Sequence, residues 1–472
     1  MRVVIDKRPI WVILVEKTIV PGIYILLCWI FFMILSSDKL GALRIEGRNT
    51  LAIFFLCVTL WIGQLIPIGI TGLLAIVLLP LLGVMSTSDA YSLFGNQAVF
   101  FLIGAFILGA AIQISGLAAR IALFVLNRFG NTPTTLLLSI FFFTSIMSWG
   151  MPEHVVAAIA FPIVLEIVRS MNLSTKDNFA KILFLSLAWG SITGGVATFL
   201  GGARTPLAIG ILQETTGKTI SFLDWMKFGI PASIALAVTG FIALKLYFNF
   251  KDVNLSIAKE SIQKMIRRQG LMTLKEKIIA TVTILTIGAW IFEGHKIGLA
   301  NIAIMSVVAL FVLQLIRWRD VQENVNWGVI LMYGGAIALG GALEKSGASR
   351  YVAQNILFSQ ALNPLFIISI LSFFTMLLTA VMSNAAAVAA LLPIALTVGN
   401  SANIDPKLIA LTIAFTSGLD FALPIGTPAS AIAYSSGYLK IREMLVPGLI
   451  MSFLAWLIFM LFFKYYLPVI PL

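Results

Sequence analysis

The chain has 472 residues, 60% hydrophobic and 11% charged, with a mean hydropathy of +1.01 and a formal net charge of +12. A soluble domain carries about 25% charged residues, so this chain cannot cover itself with a polar surface and has to be solvated by lipid. The positive charge is therefore read as the cytoplasmic bias of membrane loops rather than as a nucleic-acid footprint. Two cysteines, Cys28 and Cys57, both inside apolar runs, leave no disulfide framework or thiolate metal site to build on.

Taken in order, the chain opens with a basic segment (Arg2, Lys7, Arg8, Lys17) read as cytoplasmic, followed by an apolar run at 19–35 without a small-residue cleavage site, read as a signal anchor. The runs at 51–84, 98–114 and 444–463 are far longer than the ~10-residue alternating strands of a barrel, so the spans are helical. The first repeat is placed at 51–248, with a re-entrant hairpin near 134–169 and a broken helix near 188–212. A basic connector at 249–276, carrying Lys251, Lys259, Lys264, Arg267, Arg268 and Lys275, is read as cytoplasmic. The second repeat is placed at 277–472, with a hairpin near 363–400 and a broken helix near 408–438. No charge follows Lys464, which puts the C-terminus on the opposite side from the N-terminus. Lys39, Arg44 and Arg48 in the loop at 36–50 run against that orientation. The expectation is an all-α polytopic membrane protein of about eleven spans plus two re-entrant hairpins, multi-pass in the inner (plasma) membrane.

The two halves are expected to be one inverted two-fold repeat. Gly104-Ala105 recurs as Gly335-Ala336, Gly109 as Gly340, Ser115-Gly116 as Ser346-Gly347 and Pro162-Ile163 as Pro393-Ile394, all at an offset of 231 residues without a gap. A later match, Thr205-Pro206 to Thr427-Pro428, has an offset of 222. An odd number of spans per half turns the second half over in the bilayer and places a binding site at the midplane, where broken helices meet.

Breaks fall at matching places. Ser148-Trp149-Gly150-Met151-Pro152-Glu153-His154 and Met382-Ser383-Asn384-Ala385 each lie between apolar stretches too short for a full crossing, which fits a hairpin tip. A second pair of breaks runs from Gly190 to Pro206, through Gly194-Gly195 and Gly201-Gly202-Ala203-Arg204-Thr205-Pro206, and from Ser417-Gly418-Leu419-Asp420 to Pro424-Ile425-Gly426-Thr427-Pro428. Unwound backbone there offers carbonyls to cations and amides to anions, whereas glycines alone would serve close helix packing.

These residues resemble the divalent-anion:sodium symporters, from about residue 51 to the C-terminus. That family carries a Ser-Asn-Thr motif at each hairpin tip and a Thr-Pro-Pro-like break after it. The resemblance implies a homodimer with a scaffold and a mobile transport part, elevator-type movement, and sodium as coupling ion beside each tip. Ser383 and Asn384 match the second motif, with Ala385 in place of its threonine. Asn384 would bind a substrate carboxylate, and Ser383 both substrate and sodium. Thr379, Ser383, Asn384 and Gly426 would make one sodium site, and Ala385, Thr427 and Pro428 would line the substrate beside Ser383 and Asn384, facing Glu153, His154 and Arg204 from the first half. Ser148 and Gly195 would belong to the other. At the first tip Pro152-Glu153-His154 stands where Ser-Asn-Thr would be, and Arg204 enters the first break.

Glu153, His154, Arg204 and Asp420 thus carry charge or titratable groups into apolar segments, where insertion of a charge costs about 2.5–3.5 kcal/mol or more. Arg204 offers bidentate geometry to a carboxylate, or snorkels to an interface. Glu153 replaces a neutral ligand with an ionisable one, which makes protons the alternative coupling ion at that tip, or it only neutralises Arg204. His154 would relay such a proton, or simply start a helix. Asp420 binds a cation or caps the helix that follows. The leading expectation is sodium-coupled import of a small anion, most of all a C4 dicarboxylate. A proton-coupled or sodium-independent exchanger, or a carrier of sulfate, citrate or a substrate with a cationic group, is the alternative. With two histidines, no metal-ligand spacing and no large polar domain, an enzyme is not expected.

Overall fold

Prolines, glycines and cap residues decide where the helices of this chain start and stop. The computed structural model describes residues 18, 20–35, 43–250, 253–353 and 363–470, with helices and no strand among them. Arg2, Lys7, Arg8, Lys17, Lys39 and Lys251 lie outside the described residues. Among the described residues, seven helical stretches are long and apolar enough to cross a membrane, and five further apolar helices are shorter.

The first half runs through α1 (Val20–Leu35), α2 (Ile45–Gly63), α3 (Ile68–Leu81), α4 (Gln97–Ser115), α5 (Leu117–Phe129), α6 (Pro133–Met147), α7 (Glu153–Ser170), α8 (Asn178–Gly195), α9 (Arg204–Thr216) and α10 (Phe222–Tyr247). The basic connector holds an amphipathic helix, α11 (Ser256–Gln269). The second half follows as α12 (Leu274–Ile297), α13 (Leu299–Val312), α14 (Trp327–Lys345), α15 (Pro364–Thr379), α16 (Asn384–Ser401), α17 (Pro406–Thr416), α18 (Pro428–Ser435) and α19 (Ile441–Leu461).

Local chemistry explains the hairpins. Thr132 and Thr135 form a reciprocal capping box ahead of Pro133, and Asn363 caps α15 ahead of Pro364. A polar cap followed by proline at the first helical position satisfies one orphan N–H and supplies a φ already suited to a helix. α6 and α7 correspond to α15 and α16 at the offset of 231: Pro133 to Pro364, Glu153 to Asn384, and Ser170 to Ser401. Pro162 and Pro393 sit inside α7 and α16 at the same register.

Elements in corresponding places make corresponding contacts, and several of these contacts run between the halves. α3 packs on α14, and α4 on α13. α7 packs on α18, and α16 on α9. α8 meets α18, α9 meets α17, and α10 lies against α19. α8 is buried from Phe179 to Gly195, whereas α12 turns Ile284, Leu285 and Phe292 outward. An all-round apolar helix belongs in the interior, and a helix with an exposed apolar face belongs at the lipid boundary. Arg120 of α5 pins the connector: it reaches Glu276 at 3.1 Å and the carbonyl of Gly270 at 2.8 Å. Cys57 is buried and Cys28 half-buried, and both are free.

Candidate functional site

The two hairpin tips and the two broken helices meet deep in the bundle. At the first tip Pro152 has no N–H to continue α6 and disfavours helical backbone in the residue before it, so the chain breaks and α7 begins at Glu153. The Glu153 N–H donates to the carbonyl of Gly201 in the first broken helix, at 2.9 Å. Gly201 lies so close to the backbone of Gly195 and Ser148 that any side chain there would overlap both carbonyls. A glycine is the residue that permits such an approach. Ser148 and Gly195 are thereby brought together, and the Ser148 hydroxyl is buried without a hydrogen-bond partner.

α9 starts at Arg204, and the guanidinium turns to the first tip. Its Nη1 and Nη2 donate to Glu153 Oε2 at 3.2 and 3.3 Å, with side chains only 1% and 5% exposed. Leaving either charge alone at such depth would cost several kcal/mol, so each side chain requires the other or a substitute for it. Gly195 faces the Glu153 carboxylate, while Gly202 and Gly418 face the guanidinium. A Cβ at any of the three would collide with the pair.

The second tip supplies Asn384. The end of its side chain offers two atom positions. One lies 2.7 Å from Thr379 Oγ1, 3.1 Å from the Ser417 carbonyl oxygen and 3.2 Å from that of Gly426, and the other lies 3.2 Å from Arg204 Nη1. Hydrogen bonding within the protein puts the amide nitrogen at the first position and the oxygen toward Arg204, while the Thr379 hydroxyl donates to Ser417 at 2.8 Å. Turned over, the amide oxygen joins three other oxygens, a set that a hard cation such as sodium suits. The NH2 group then stands beside the guanidinium, two donors that an anion suits. Asp420 lies alongside. Its Oδ1 accepts from the Ala422 N–H at 3.1 Å, while Oδ2 is buried without a hydrogen-bond partner, against Gly426.

The structure thus brings Glu153, Arg204, Asn384, Thr379, Gly426 and Gly195 around one place, with Asp420 and Ser148 at its two ends. Other candidates, next to these in the chain, make contacts of their own. Ser383 accepts from the Ala386 N–H at 3.3 Å and caps α16. Thr427 caps α18 through Ser430, with Pro428 at the first helical position. Ala385 is buried in the first turn of α16. His154 packs edge-on against Phe106, ring centroids 6.2 Å apart. Two contributions escape the sequence reading: the Ser417 carbonyl, and the room that Gly202 and Gly418 leave for Arg204. Both glycines stand at recognised breaks, but only the fold shows which side chain they face.

Comparison with known proteins agrees with this picture. The family described as "Sodium:sulfate symporter transmembrane region" matches residues 18–472. A sodium-dependent dicarboxylate transporter, SdcS, of Staphylococcus saprophyticus is 28% identical, covering 95% of this chain and 90% of its own. SdcS of Staphylococcus aureus is also 28% identical, covering 90% and 87%. Among solved structures, MtrF of Neisseria gonorrhoeae aligns with a TM-score of 0.52 at 13% identity, over 78% of this chain and 80% of its own. The YdaH transporter of Alcanivorax borkumensis aligns with a TM-score of 0.52 at 14% identity, over 79% and 85%. At such identities these two speak for the fold alone.

Proposed function

Because the chain belongs to the sodium:sulfate symporter family, a family of membrane transporters and not of enzymes, we propose that it imports small carboxylates together with sodium, and C4 dicarboxylates first among them. The observation that carries this reading is the Asn384 side chain, one end of which faces the oxygens of Thr379, Ser417 and Gly426 and the other the Arg204 guanidinium. A sodium ion at the first end orients the amide so that its NH2 joins Arg204 in holding a substrate carboxylate at the second. Each guest then favours the other, because both select the same amide orientation. Both are cargo. Ser148 and Gly195 are proposed to serve a second sodium ion at the first tip, and Asp420 Oδ2 to complete the cation site at the second.

The transport movement proposed is an elevator, with the two hairpins and broken helices (α6–α10 and α15–α19) travelling against the remaining helices in a homodimer in the inner membrane. The symmetry of the contacts between halves supports an inverted repeat as the frame for it. The orientation proposed has the N-terminus in the cytoplasm and the C-terminus outside, supported by the basic residues of the N-terminal segment and of the connector.

Uptake of radiolabelled succinate into proteoliposomes, with and without an inward sodium gradient at fixed pH, tests the reading. Sodium-driven accumulation is expected. Uptake driven by a proton gradient and indifferent to sodium would move the coupling to Glu153. Equilibration without accumulation would replace the symporter by a sodium-independent permease. Uptake of sulfate or citrate in place of succinate would keep the mechanism and change the cargo.

A further inference from the structure

A cavity of about 270 Å3 lies apart from the two tips, among the ends of five helices. Gln97 opens α4, Gln213 stands in the last turn of α9, Phe222 opens α10, His295 stands in the last turn of α12 and Leu299 opens α13, and all of them line it. α12 starts at the connector and is long enough to cross, so the cavity lies toward the opposite face of the membrane. Helix ends stand near water, so a guest enters from the aqueous side and not from among acyl chains.

The buried lining is built on four rings in a closed circuit of contacts. Phe101 meets Phe199 with ring centroids 6.1 Å apart, Phe199 meets Phe222 at 5.3 Å, Phe222 meets Trp290 at 5.8 Å, and Trp290 meets Phe101 at 5.2 Å. Trp290 donates its N–H to the carbonyl of Leu299 at 3.0 Å, so it offers a guest ring surface only. The exposed lining is polar and neutral: Gln97, Gln213 and His295 carry donors and acceptors. Among the described residues that line the cavity there is no Asp, Glu, Lys or Arg. A carboxylate buried here would have no counter-charge, so this is no second place for the anionic cargo. A flat apolar body with one neutral hydrogen-bonding group matches both parts of the lining. A dry cavity of about 150 Å3 holds benzene, so this one suits a two-ring aromatic.

The walls also come from both sides of the movement proposed above. Phe101 and Trp290 belong to α4 and α12, which stay; Phe199 and Phe222 belong to the first break and α10, which travel. We infer that this cavity is a regulatory site for a small uncharged aromatic amphiphile, and that its guest halts transport by bridging the parts that slide. The halting effect rests on that elevator reading, whereas binding does not.

The test uses 2-naphthol, uncharged at neutral pH, and 2-naphthoate, a similar ring system carrying a carboxylate. Both are titrated calorimetrically into the full-length protein in nanodiscs, against empty nanodiscs. Saturable binding of 2-naphthol is expected, with 2-naphthoate at least about tenfold weaker. Ala300→Phe puts a ring into the cavity and should weaken 2-naphthol about tenfold. Should that variant not fold, Gln213→Ala at the exposed mouth should weaken it about fivefold, the scale of one hydrogen bond. In proteoliposomes 2-naphthol should lower the maximal rate of sodium-driven succinate uptake and leave KM unchanged. No binding beyond that of empty nanodiscs, or binding indifferent to the folded variants, would overturn the inference. Competition with succinate would overturn it too, by making the cavity part of the cargo's path, as would binding that leaves uptake unaffected. Binding with the expected variant effects to a protein that takes up no succinate would uphold the site and sink the import reading alone.

Discussion

The two hairpin tips are built on one plan and end in different chemistry. Each is a proline-initiated helix, a short break and a second helix with an internal proline, in a common register. The second tip carries Ser383 as a hydroxyl cap and Asn384 as a neutral amide with a donor and an acceptor. The first carries Pro152, which caps nothing by its side chain, and Glu153, which only accepts once ionised. Arg204 lies where the two tips meet and bonds to both. A duplicated scaffold thus keeps its backbone symmetry while its centre becomes polarised, with a permanent charge pair on one side and an adaptable amide on the other.

That contrast can be broken at its centre. Arg204→Gln removes the group both tips share and leaves Glu153 buried without a partner, so sodium-driven succinate uptake should fall about 100-fold or more, the effect of removing one member of a buried charge pair. The check is initial rate in proteoliposomes, with the protein's size-exclusion profile confirming that it is folded. Asn384→Ala takes away the adaptable side alone. The KM for succinate and the half-saturating sodium concentration should both rise about tenfold, since one residue faces both guests. A rise in one without the other would separate the two ends that the amide is proposed to join.

Asp420→Asn sharpens the comparison further, because it changes the charge behind the second tip and not its shape. Half-saturating sodium should rise several-fold, about one charge-assisted contact, while the succinate KM at saturating sodium stays near wild type. Ser383→Ala is the smallest of these changes. With its hydroxyl engaged in capping α16, loss of the cap should destabilise the protein by about 1 kcal/mol, seen as a lowered thermal midpoint, with little change in sodium dependence. A large loss of sodium affinity instead would return Ser383 to the ligand set that family resemblance assigns it.

The sequence and the structure inform different parts of this picture. Hairpins and breaks were legible because they are local: Pro152, Pro162 and Pro393 act on their own backbone neighbours, and an offset of 231 without a gap marks equivalent positions. The pairing of Glu153 with Arg204 could be posed as one of several options, since two opposite charges in apolar surroundings each need a partner. Contact between Arg204 and Asn384 could not be posed, because it joins residues from different halves. Nor does a motif reveal whether a hydroxyl is free. Ser383 and Thr427 read as ligands in the string, yet each sits one residue before a helix, where the exposed N–H groups compete for its oxygen. The helix inside the connector, α11, was hidden by its charges, which signal loop as readily as an amphipathic surface helix.

The exchange of partners between the halves bears on how the protein is made. α3 lies on α14 and α4 on α13, so each half covers a face that the other would leave open. While the ribosome is still synthesising the connector, the first ten helices wait in the bilayer with that face open to lipid, and with Arg204 beside Glu153 but without Asn384. Assembly cannot finish before the last third of the chain arrives, because the closing contacts span hundreds of residues and such contacts form late. A truncated product would therefore be an exposed surface in search of a second half, and two fragments co-expressed from a break in the connector should find each other for the same reason.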